Sequence, residues 1–168
     1  ASTVYSAMRR IRQPIDNTEY EIMKTIVDVP WLADYMILHF YLGHEDWGDN
    51  VDKNWYAVRH KNGTFRYLPW DMENLMWSER ANRTTVSSPP TGLHTNLDSN
   101  DQYLLDFGDR VHKHMVAPDG ALLSSAMADR WSKWRGVMQN AIAAESARWG
   151  DYRRDVHRHQ SGPYTLFT

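Results

Sequence analysis

The sequence predicts an α+β fold that is mainly α-helical and contains one β-hairpin. Apolar residues recur at helical spacing in several segments, and an Asn-Gly pair separates two short segments typical of strands. The sequence has no parallel-sheet pattern and no glycine-rich nucleotide loop. Its 168 residues match the length of one domain and are enough to bury a core.

The composition narrows the functional classes. The 19 Lys and Arg residues nearly balance the 21 Asp and Glu residues, and a net charge of −2 argues against a nucleic-acid partner. There is no cysteine, which excludes disulfides, zinc–thiolate centres and cysteine catalysis. No apolar run in the sequence reaches the roughly 18 residues of a membrane span, so we expect no span in this chain.

The helices are predicted from their start and stop signals. Asp16 or Asn17 caps one helix, Asp28 and Pro30 begin the next, and Gly43 ends it. The predicted helical segments are an entry arm or short helix at 1–15, then 16–27, 28–43, 101–115 and 122–149.

Residues 78–100 differ in composition from the rest of the chain. They are rich in Ser, Thr, Asn, Pro and Gly, with Pro89-Pro90 at the centre, and predict one long loop. The last helix beyond it carries an apolar stripe on one face. The stripe consists of Leu123, Met127, Trp131, Trp134, Met138, Ile142 and Trp149.

The hairpin is predicted from the Asn62-Gly63 pair, which favours a two-residue turn between strands at 54–60 and 64–70. In that register Asn54 faces Asp71 at a non-hydrogen-bonded position, where opposed Cα atoms are about 4.5 Å apart. A carboxylate and an amide oxygen at this separation could hold one hard cation such as Mg²⁺.

Acidic and amide side chains surround this hairpin. They are Asp46, Asp49, Asp52, Asn54, Asp71 and Glu73. Like charges gathered in this way repel one another unless a cation or a base offsets them. Composition by itself favours a solvated acidic loop, with Asp71 capping a short turn over residues 72–76, over a metal site.

The order of these residues matches that of protein kinases. Kinases place His-Arg-Asp before an Asn five positions later, and a metal-binding Asp after the next hairpin. Here His44-Glu45-Asp46 has Glu in place of Arg, and Asn54 lies eight residues after Asp46 but five after Asp49. Both Asp46 and Asp49 are therefore candidates for the catalytic base.

Two other motifs are not expected to carry chemistry. Asp106-Phe107-Gly108 resembles the kinase metal-binding string, but it lies within an amphipathic pattern and is predicted to be helical. His112 and His114, like His157 and His159, lie two residues apart and do not share a helical face. We therefore predict no zinc site at these pairs.

Residues 43–47, 54–59 and 65–73 resemble the CotH (spore coat protein H) kinase-like family, and residues 107–114 and 144–151 resemble its later helices. The resemblance extends over most of residues 30–155. It implies that residues 1–168 are a single partial domain, the C-lobe-like part of an atypical protein-kinase-like fold. The N-terminal lobe is expected to precede Ala1, where the chain opens without an initiator Met.

The resemblance also implies an activity, cofactors and site residues. The activity is ATP-dependent phosphoryl transfer to a hydroxyl of an exported or surface protein, with Mg²⁺ or Mn²⁺ and a location outside the cell, at the cell surface or in a spore coat. Asp46 corresponds to the catalytic base and Asp71 to a metal ligand that also binds the nucleotide. Asn54 corresponds to a second such ligand, and Glu73 stands where members often have a further acid.

Two other functions remain open from the sequence. The chain could be a non-catalytic module that binds protein or glycan through its aromatic residues and the loop at 78–100. It could also be a hydrolase that uses the same acids to hold two metal ions about 4 Å apart.

Overall fold

The computed structural model describes residues 6, 8, 10, 11, 13–47, 54–86 and 91–155, and at residues 91 and 151–155 it describes the backbone alone. The chain divides into two compact units, Ala1–Ala117 and Pro118–Thr168. The first unit contains helices α1 (Asn17–Ile26) and α2 (Val29–Leu42), strands β1 (Trp55–Arg59) and β2 (Phe65–Pro69), and helices α3 (Thr91–Leu97) and α4 (Asp101–Met115). The second contains α5 (Ser124–Asp155). The predicted mixed fold, mainly helical with one antiparallel hairpin, is confirmed.

The first two helices begin where their capping residues predict. The Asp16 carboxylate accepts a hydrogen bond from the Glu19 amide, and the Glu19 carboxylate accepts one from the Asp16 amide, which forms a capping box for α1. The Asp28 carboxylate accepts a hydrogen bond from the Trp31 amide at the start of α2, with Pro30 in the first turn.

Helix α2 ends at Gly43, as predicted, in a Schellman motif. Gly43 has a left-handed φ of 59°, which glycine adopts without a Cβ penalty. The Gly43 amide donates to the Phe40 carbonyl and the His44 amide donates to the His39 carbonyl, each over 3.2 Å. A Cβ added at Gly43 would lie only 3.3 Å from Cβ of Ala81. The turn therefore requires glycine for its conformation and for space.

The core of the first unit forms around α2, which packs against β2, α3 and α4. Leu32 and Met36 are fully buried, and the Tyr35 and Tyr67 rings lie 5.8 Å apart between helix and hairpin. The Trp31 indole N–H donates to the Tyr67 carbonyl over 2.6 Å, which fastens the start of α2 to β2.

The predicted hairpin register is wrong by one residue. Trp55 pairs with Pro69, so Asn54 does not face Asp71. The connection is a turn in which the Gly63 amide donates to the His60 carbonyl over 3.0 Å, and Gly63 does not have the positive φ that a type I′ turn requires. Glycine is also favoured at the last position of an ordinary type I turn, so the Asn62-Gly63 pair does not by itself require a two-residue turn.

Burial of β2 explains why the observed register is preferred. Phe65 and Tyr67 point into the core, and in this register they face Arg59 and Ala57, which are also partly buried. Because side chains alternate along a strand, a slip of one residue would bring Val58 opposite Tyr67 and exchange the two faces of β1. The hairpin is therefore aligned by the core and not by its turn.

The long loop predicted at 78–100 contains a helix. Helix α3 spans Thr91–Leu97, and it is anchored because Leu93 and Leu97, four residues apart on one face, are buried in the core. The polar composition concealed this short apolar face. The predicted Pro89-Pro90 centre of the loop lies outside the described residues.

Helix α4 begins at Asp101 and ends at Met115, as predicted. Asp106-Phe107-Gly108 lies inside it, which confirms the helical prediction, and the Asp106 carboxylate accepts a 2.6 Å hydrogen bond from the Tyr20 hydroxyl. Asp106 therefore joins α4 to α1.

An ion pair that the sequence did not predict joins α4 to α2. The Asp34 carboxylate accepts two hydrogen bonds from Arg110 and a third from His114, whose Nε2 is 2.8 Å away. Burial acts to raise the pKa of the Asp34 carboxyl, but the bonds from Arg110 and His114 outweigh it and hold that pKa below its usual range. Asp34 lies 80 positions before His114, too far for a local pattern to indicate.

Helix α5 is the main element of the second unit. It runs for 32 residues and ends six positions beyond the predicted end at Trp149. Much of its apolar stripe is exposed, including Trp131, Trp134, Met138, Ile142 and Trp149. Within the described parts of the chain, no helix is both long and apolar enough to cross a membrane.

We predict that the cap of α4 contributes more to stability than the cap of α1. Asn100, which is 3% exposed, caps α4 by accepting from the Tyr103 amide, and its Nδ2 donates to the Ile15 carbonyl over 3.2 Å. The change Asn100→Ala should lower the free energy of unfolding by about 3 kcal/mol, since it removes a cap and the donor of a buried carbonyl.

Asp16→Ala is the matched control, because it removes the exposed cap of α1 and should cost about 1 kcal/mol. Urea unfolding followed by circular dichroism would measure both. Equal losses would show that the buried contacts of Asn100 contribute nothing beyond the cap.

Candidate functional site

The candidate site lies at the open end of the hairpin, beside the loop that follows α2. The Glu45 amide donates to the Asn74 carbonyl and the Met76 amide donates to the Leu42 carbonyl, both over 2.9 Å. These two bonds bring the His44–Trp47 loop against the segment that follows β2. The predicted acids on the two segments are thereby placed in one region.

Asp46 is anchored in this loop and also reaches solvent. His44 Nε2 lies 3.0 Å from Asp46 Oδ1, and the Asp46 side chain is 26% exposed while that of His44 is fully buried. Of the two residues, only Asp46 can therefore contact a substrate, and His44 supports it from behind.

Asn54 is bound directly to the backbone of Asp46. Its Nδ2 donates to the Asp46 carbonyl over 3.1 Å, and the residue is only 9% exposed. An amide side chain binds a cation through its oxygen, and this bond does not involve the Asn54 oxygen Oδ1. Asn54 has a φ of 63°, a left-handed conformation that Asn tolerates better than most residues.

Asp71 and Glu73 lie on the other flank of the hairpin. Asp71 follows β2 by two residues, and since the strands are antiparallel it lies at the same end of the hairpin as Asn54. It also has a left-handed φ, of 54°. Glu73 accepts a hydrogen bond from Asn74 Nδ2, and both acids are exposed. The turn that Asp71 precedes covers residues 72–74 and is shorter than predicted.

Arg83 fixes the loop that holds Asp46, and the sequence did not predict this. Its Nη2 donates to the Glu45 carbonyl over 3.2 Å and to the Trp47 carbonyl over 2.9 Å. The guanidinium thus binds the backbone on both sides of Asp46. Arg83 lies in the segment predicted as a loop, where no pattern marks one arginine over another.

His39 is the second residue that the sequence did not assign to the site. It lies near the end of α2, its Nδ1 is 2.9 Å from Nδ1 of His44, and both rings are fully buried. His39 also stacks on Trp47, with ring centroids 4.2 Å apart and planes 13° from parallel. The Schellman motif at Gly43 is the sequence signal that could have identified this pair. Such a motif places the residue after the glycine, here His44, against the residue four positions before the glycine, here His39.

Burial keeps both histidines neutral. Burial, with a smaller contribution from His44, lowers the pKa of His39 to about 3. Burial also lowers the pKa of His44, although the charges of Asp46 and Glu73 oppose the shift. At neutral pH each imidazole therefore has one N–H donor and one bare nitrogen acceptor.

The donor atoms at the open end of the hairpin are oxygens, which suit a hard cation that takes only a few of its ligands from the protein. Asn54, Asp71 and Glu73 offer amide and carboxylate oxygens, which Mg²⁺ prefers. Across the described residues, no three His, Asp or Glu side chains are gathered closely enough to hold a metal ion. Mg²⁺ commonly binds one or two carboxylates and completes its shell with water and phosphate oxygens. The predicted candidates Asp49 and Asp52 lie outside the described residues.

Comparison with protein families matches residues 4–161 to the family described as CotH kinase protein. The match covers most of the chain and confirms the resemblance carried by the residues around the hairpin. No curated protein and no solved structure matches the chain.

We predict that the protein loses stability in acid through its buried neutral histidines. Burial lowers the pKa of His39 to about 3 and that of His94, which is hydrogen-bonded to the Tyr103 hydroxyl, to about 4. An unfolded histidine takes up its proton near pH 6.5, so the stability is fully present above that value and falls as the pH drops towards the folded pKa. Each histidine should cost about 1.4 kcal/mol per pH unit in this range.

Urea unfolding between about pH 7 and pH 4.5 would measure the slope. His94→Asn keeps an acceptor for the Tyr103 hydroxyl but does not titrate, so its slope should be shallower than that of the wild type. His60→Asn, at an exposed position in the hairpin turn, is the control and should leave the slope unchanged. A His94→Asn slope equal to the wild-type slope would contradict the prediction.

Proposed function

This chain belongs to the CotH kinase family, and we propose that it supplies the catalytic base and the metal ligands of an atypical kinase. The reaction is transfer of a phosphoryl group from ATP to a hydroxyl of an exported or surface protein. In this proposal the chain is the C-lobe-like half of the catalytic domain, and an N-terminal lobe completes the nucleotide site. Family membership also supports a location at the cell surface, outside the cell or in a spore coat.

The observation that carries this proposal is the environment of Asp46. A general base must be ionised, oriented and within hydrogen-bond reach of the hydroxyl that it deprotonates. Asp46 receives a hydrogen bond from the neutral His44 ring. Because a carboxylate has two oxygens with several lone pairs, the group can bind His44 and meet a substrate hydroxyl at the same time. Arg83 holds the backbone on both sides of it, so the carboxylate is presented from a fixed loop.

Metal binding is assigned to the hairpin end. Asp71 and the Asn54 amide oxygen are the proposed ligands, with Glu73 as a further acid. A bound Mg²⁺ or Mn²⁺ would neutralise the phosphates of ATP there. Asn54 would serve two purposes, since its amide nitrogen also binds the Asp46 carbonyl and so ties the metal ligand to the base.

We prefer Asp46 as the base because hydrogen bonds anchor both its side chain and the backbone on either side of it. Its side chain bonds to His44, and the carbonyl groups of its two neighbours bond to Arg83. Asp49 keeps the kinase spacing to Asn54 but lies outside the described residues. Positioning to within a fraction of an ångström is what an effective base needs.

A binding module is the second candidate function, and one observation favours it. Tyr56 and Trp70 form an exposed edge-to-face pair on the outer face of the hairpin, with ring centroids 5.2 Å apart. Trp77 nearby in sequence is 72% exposed. Exposed aromatic side chains are typical of surfaces that bind protein or glycan. A two-metal hydrolase has no comparable support among the described residues, so we do not propose it.

We predict that Asp46→Asn in the full-length protein lowers phosphoryl transfer by about 100-fold or more, the usual scale for the loss of a general base. Nucleotide binding should survive, since Asp46 is not a proposed metal ligand. A radiolabelled transfer assay on an exported protein of the same cell, together with calorimetric titration of ATP, would measure the two quantities.

Glu45→Gln is the matched control, because Glu45 is the exposed acid next to Asp46. The hydrogen bonds of Glu45 with Asn74 and Arg83 are made by its backbone and not by its carboxylate. Asp49→Asn should also cost much less than Asp46→Asn. A larger loss from Asp49→Asn would move the base to Asp49, and no loss from either change would favour the binding module.

We predict that Asp71→Ala abolishes binding of Mg²⁺–ATP to the full-length protein while the fold is retained. The exposed Asp71 side chain fills no core position, so the free energy of unfolding should fall by only about 1 kcal/mol, the scale of placing Ala at the left-handed φ of this position. Calorimetric titration with metal and nucleotide would measure the binding, and circular dichroism would report the fold. Glu79→Ala, at an exposed acid further along the chain, is the control for lost surface charge. Undiminished binding by Asp71→Ala would remove Asp71 from the site.

A further inference from the structure

We propose that His39 and His44 are positioning residues that act in series, with the Nδ1–H of His39 fixing the His44 ring and the Nε2–H of His44 orienting the Asp46 carboxylate. This inference rests on the proposed role of Asp46 as the base. It adds a specific proton arrangement on two buried histidines, and that arrangement can be measured without any assay of activity.

The proton arrangement follows from the partners of each nitrogen. Asp46 accepts hydrogen bonds when it is ionised, so the proton of His44 must lie on Nε2, which is 3.0 Å from Asp46 Oδ1. The Nδ1 atom of a neutral His44 is then a bare acceptor. Because Nδ1 of His39 lies 2.9 Å from it, the proton of His39 must lie on Nδ1.

The remaining nitrogen of His39 supports the same assignment. His39 Nε2 is buried and has no hydrogen-bond partner among the described residues. With the proton on Nδ1, this buried atom is only an unused acceptor. The opposite arrangement would bury an unsatisfied N–H donor, which is rarer in proteins and costs free energy. It would also turn a bare His44 nitrogen towards the Asp46 carboxylate, where two lone pairs repel.

The backbone and the aromatic rings hold the two histidines in this arrangement. The Schellman motif at Gly43 sets His44 against His39, with ring centroids 5.0 Å apart and planes 19° from parallel. The Trp47 ring stacks on the His39 ring, and its indole N–H donates to the Tyr35 hydroxyl over 2.7 Å. The rings therefore have little freedom to rotate or to exchange partners.

We call the hydrogen-bonded series His39–His44–Asp46 the relay. It orients the Asp46 carboxylate but does not carry a proton away from it. When Asp46 takes a proton from the substrate hydroxyl, His44 Nε2 already carries one, so the new proton has no place on His44 and stays on the Asp46 carboxyl. Proton and charge remain on the residue that touches the substrate. His39 and His44, both fully buried, touch no substrate and act through Asp46.

The test is nitrogen-15 NMR of the imidazole rings in the full-length protein, labelled at histidine and assigned with single variants. At neutral pH we expect His39 to carry its proton on Nδ1 and His44 to carry it on Nε2. Asp46→Ala removes the acceptor, and the Nε2–H signal of His44 should then shift because it loses its hydrogen bond. Glu45→Ala, next in sequence, is the control and should leave both rings unchanged. A His39 proton on Nε2 in the wild type, or a His44 signal that is unchanged in Asp46→Ala, would overturn the proposal.

Two substitutions at His39 connect the relay to turnover. His39→Asn keeps a donor near the Nδ1 position, and His39→Leu fills a similar volume without one. We expect His39→Leu to lower kcat by about 10-fold, the scale for residues that hold an active group from behind. The KM for ATP should be unchanged, and His39→Asn should retain most of the activity. Equal losses of kcat would assign His39 a packing role and overturn the proposal.

The two proposals can fail separately. A full-length protein that transfers no phosphoryl group contradicts the proposed function, and the NMR spectra still decide whether the two histidines orient Asp46. A protein that transfers phosphoryl groups but has the opposite histidine protonation leaves the function standing and removes the relay.

Discussion

The left-handed turn at Gly43 is the constraint on which the rest of the site depends. It ends α2 and closes the last turn of the helix with two backbone hydrogen bonds. It also reverses the chain, so that the His44 amide donates to the His39 carbonyl. Any residue with a Cβ would be strained at this φ and would crowd Ala81. A single backbone conformation thus joins the end of a core helix to the loop that carries Asp46.

From that turn the loop is fixed by polar groups from several parts of the chain. Arg83 binds carbonyl groups on both sides of Asp46, Asn54 binds the Asp46 carbonyl itself, and the Asn74 carbonyl receives the Glu45 amide. Each bond satisfies a backbone group that a loop would otherwise leave to water. The result is a carboxylate that reaches solvent from a backbone held by four hydrogen bonds with other parts of the chain, which suits a group that must be placed accurately.

The same region combines burial and exposure in a way that separates the roles of its residues. His39, His44 and Trp47 form a dry aromatic layer in which the histidines are neutral, whereas Asp46, Asp71 and Glu73 meet solvent. Low polarity behind a carboxylate strengthens the hydrogen bond that orients it. The acids in front remain accessible to cations and phosphates, and this division is what the proposed kinase chemistry requires.

The sequence by itself determined the features that depend on neighbouring residues. The caps at Asp16 and Asp28, the stop at Gly43, the presence of a hairpin and the acids at its open end were all read from local patterns, because the groups that make them lie within a few positions of one another. The register of the hairpin, the helix hidden in the segment 78–100, and the roles of His39, Arg83 and Asp34 were decided by tertiary structure. In each case the deciding free energy comes from residues distant in sequence. The core selects which face of β1 turns inward, and Leu93 and Leu97 are buried only against α2 and its neighbours. The partners of Asp34 lie on another helix. The His39–His44 pair stands between the two cases, since the backbone motif that joins them is local, while the burial that makes both rings neutral is a property of the assembled core.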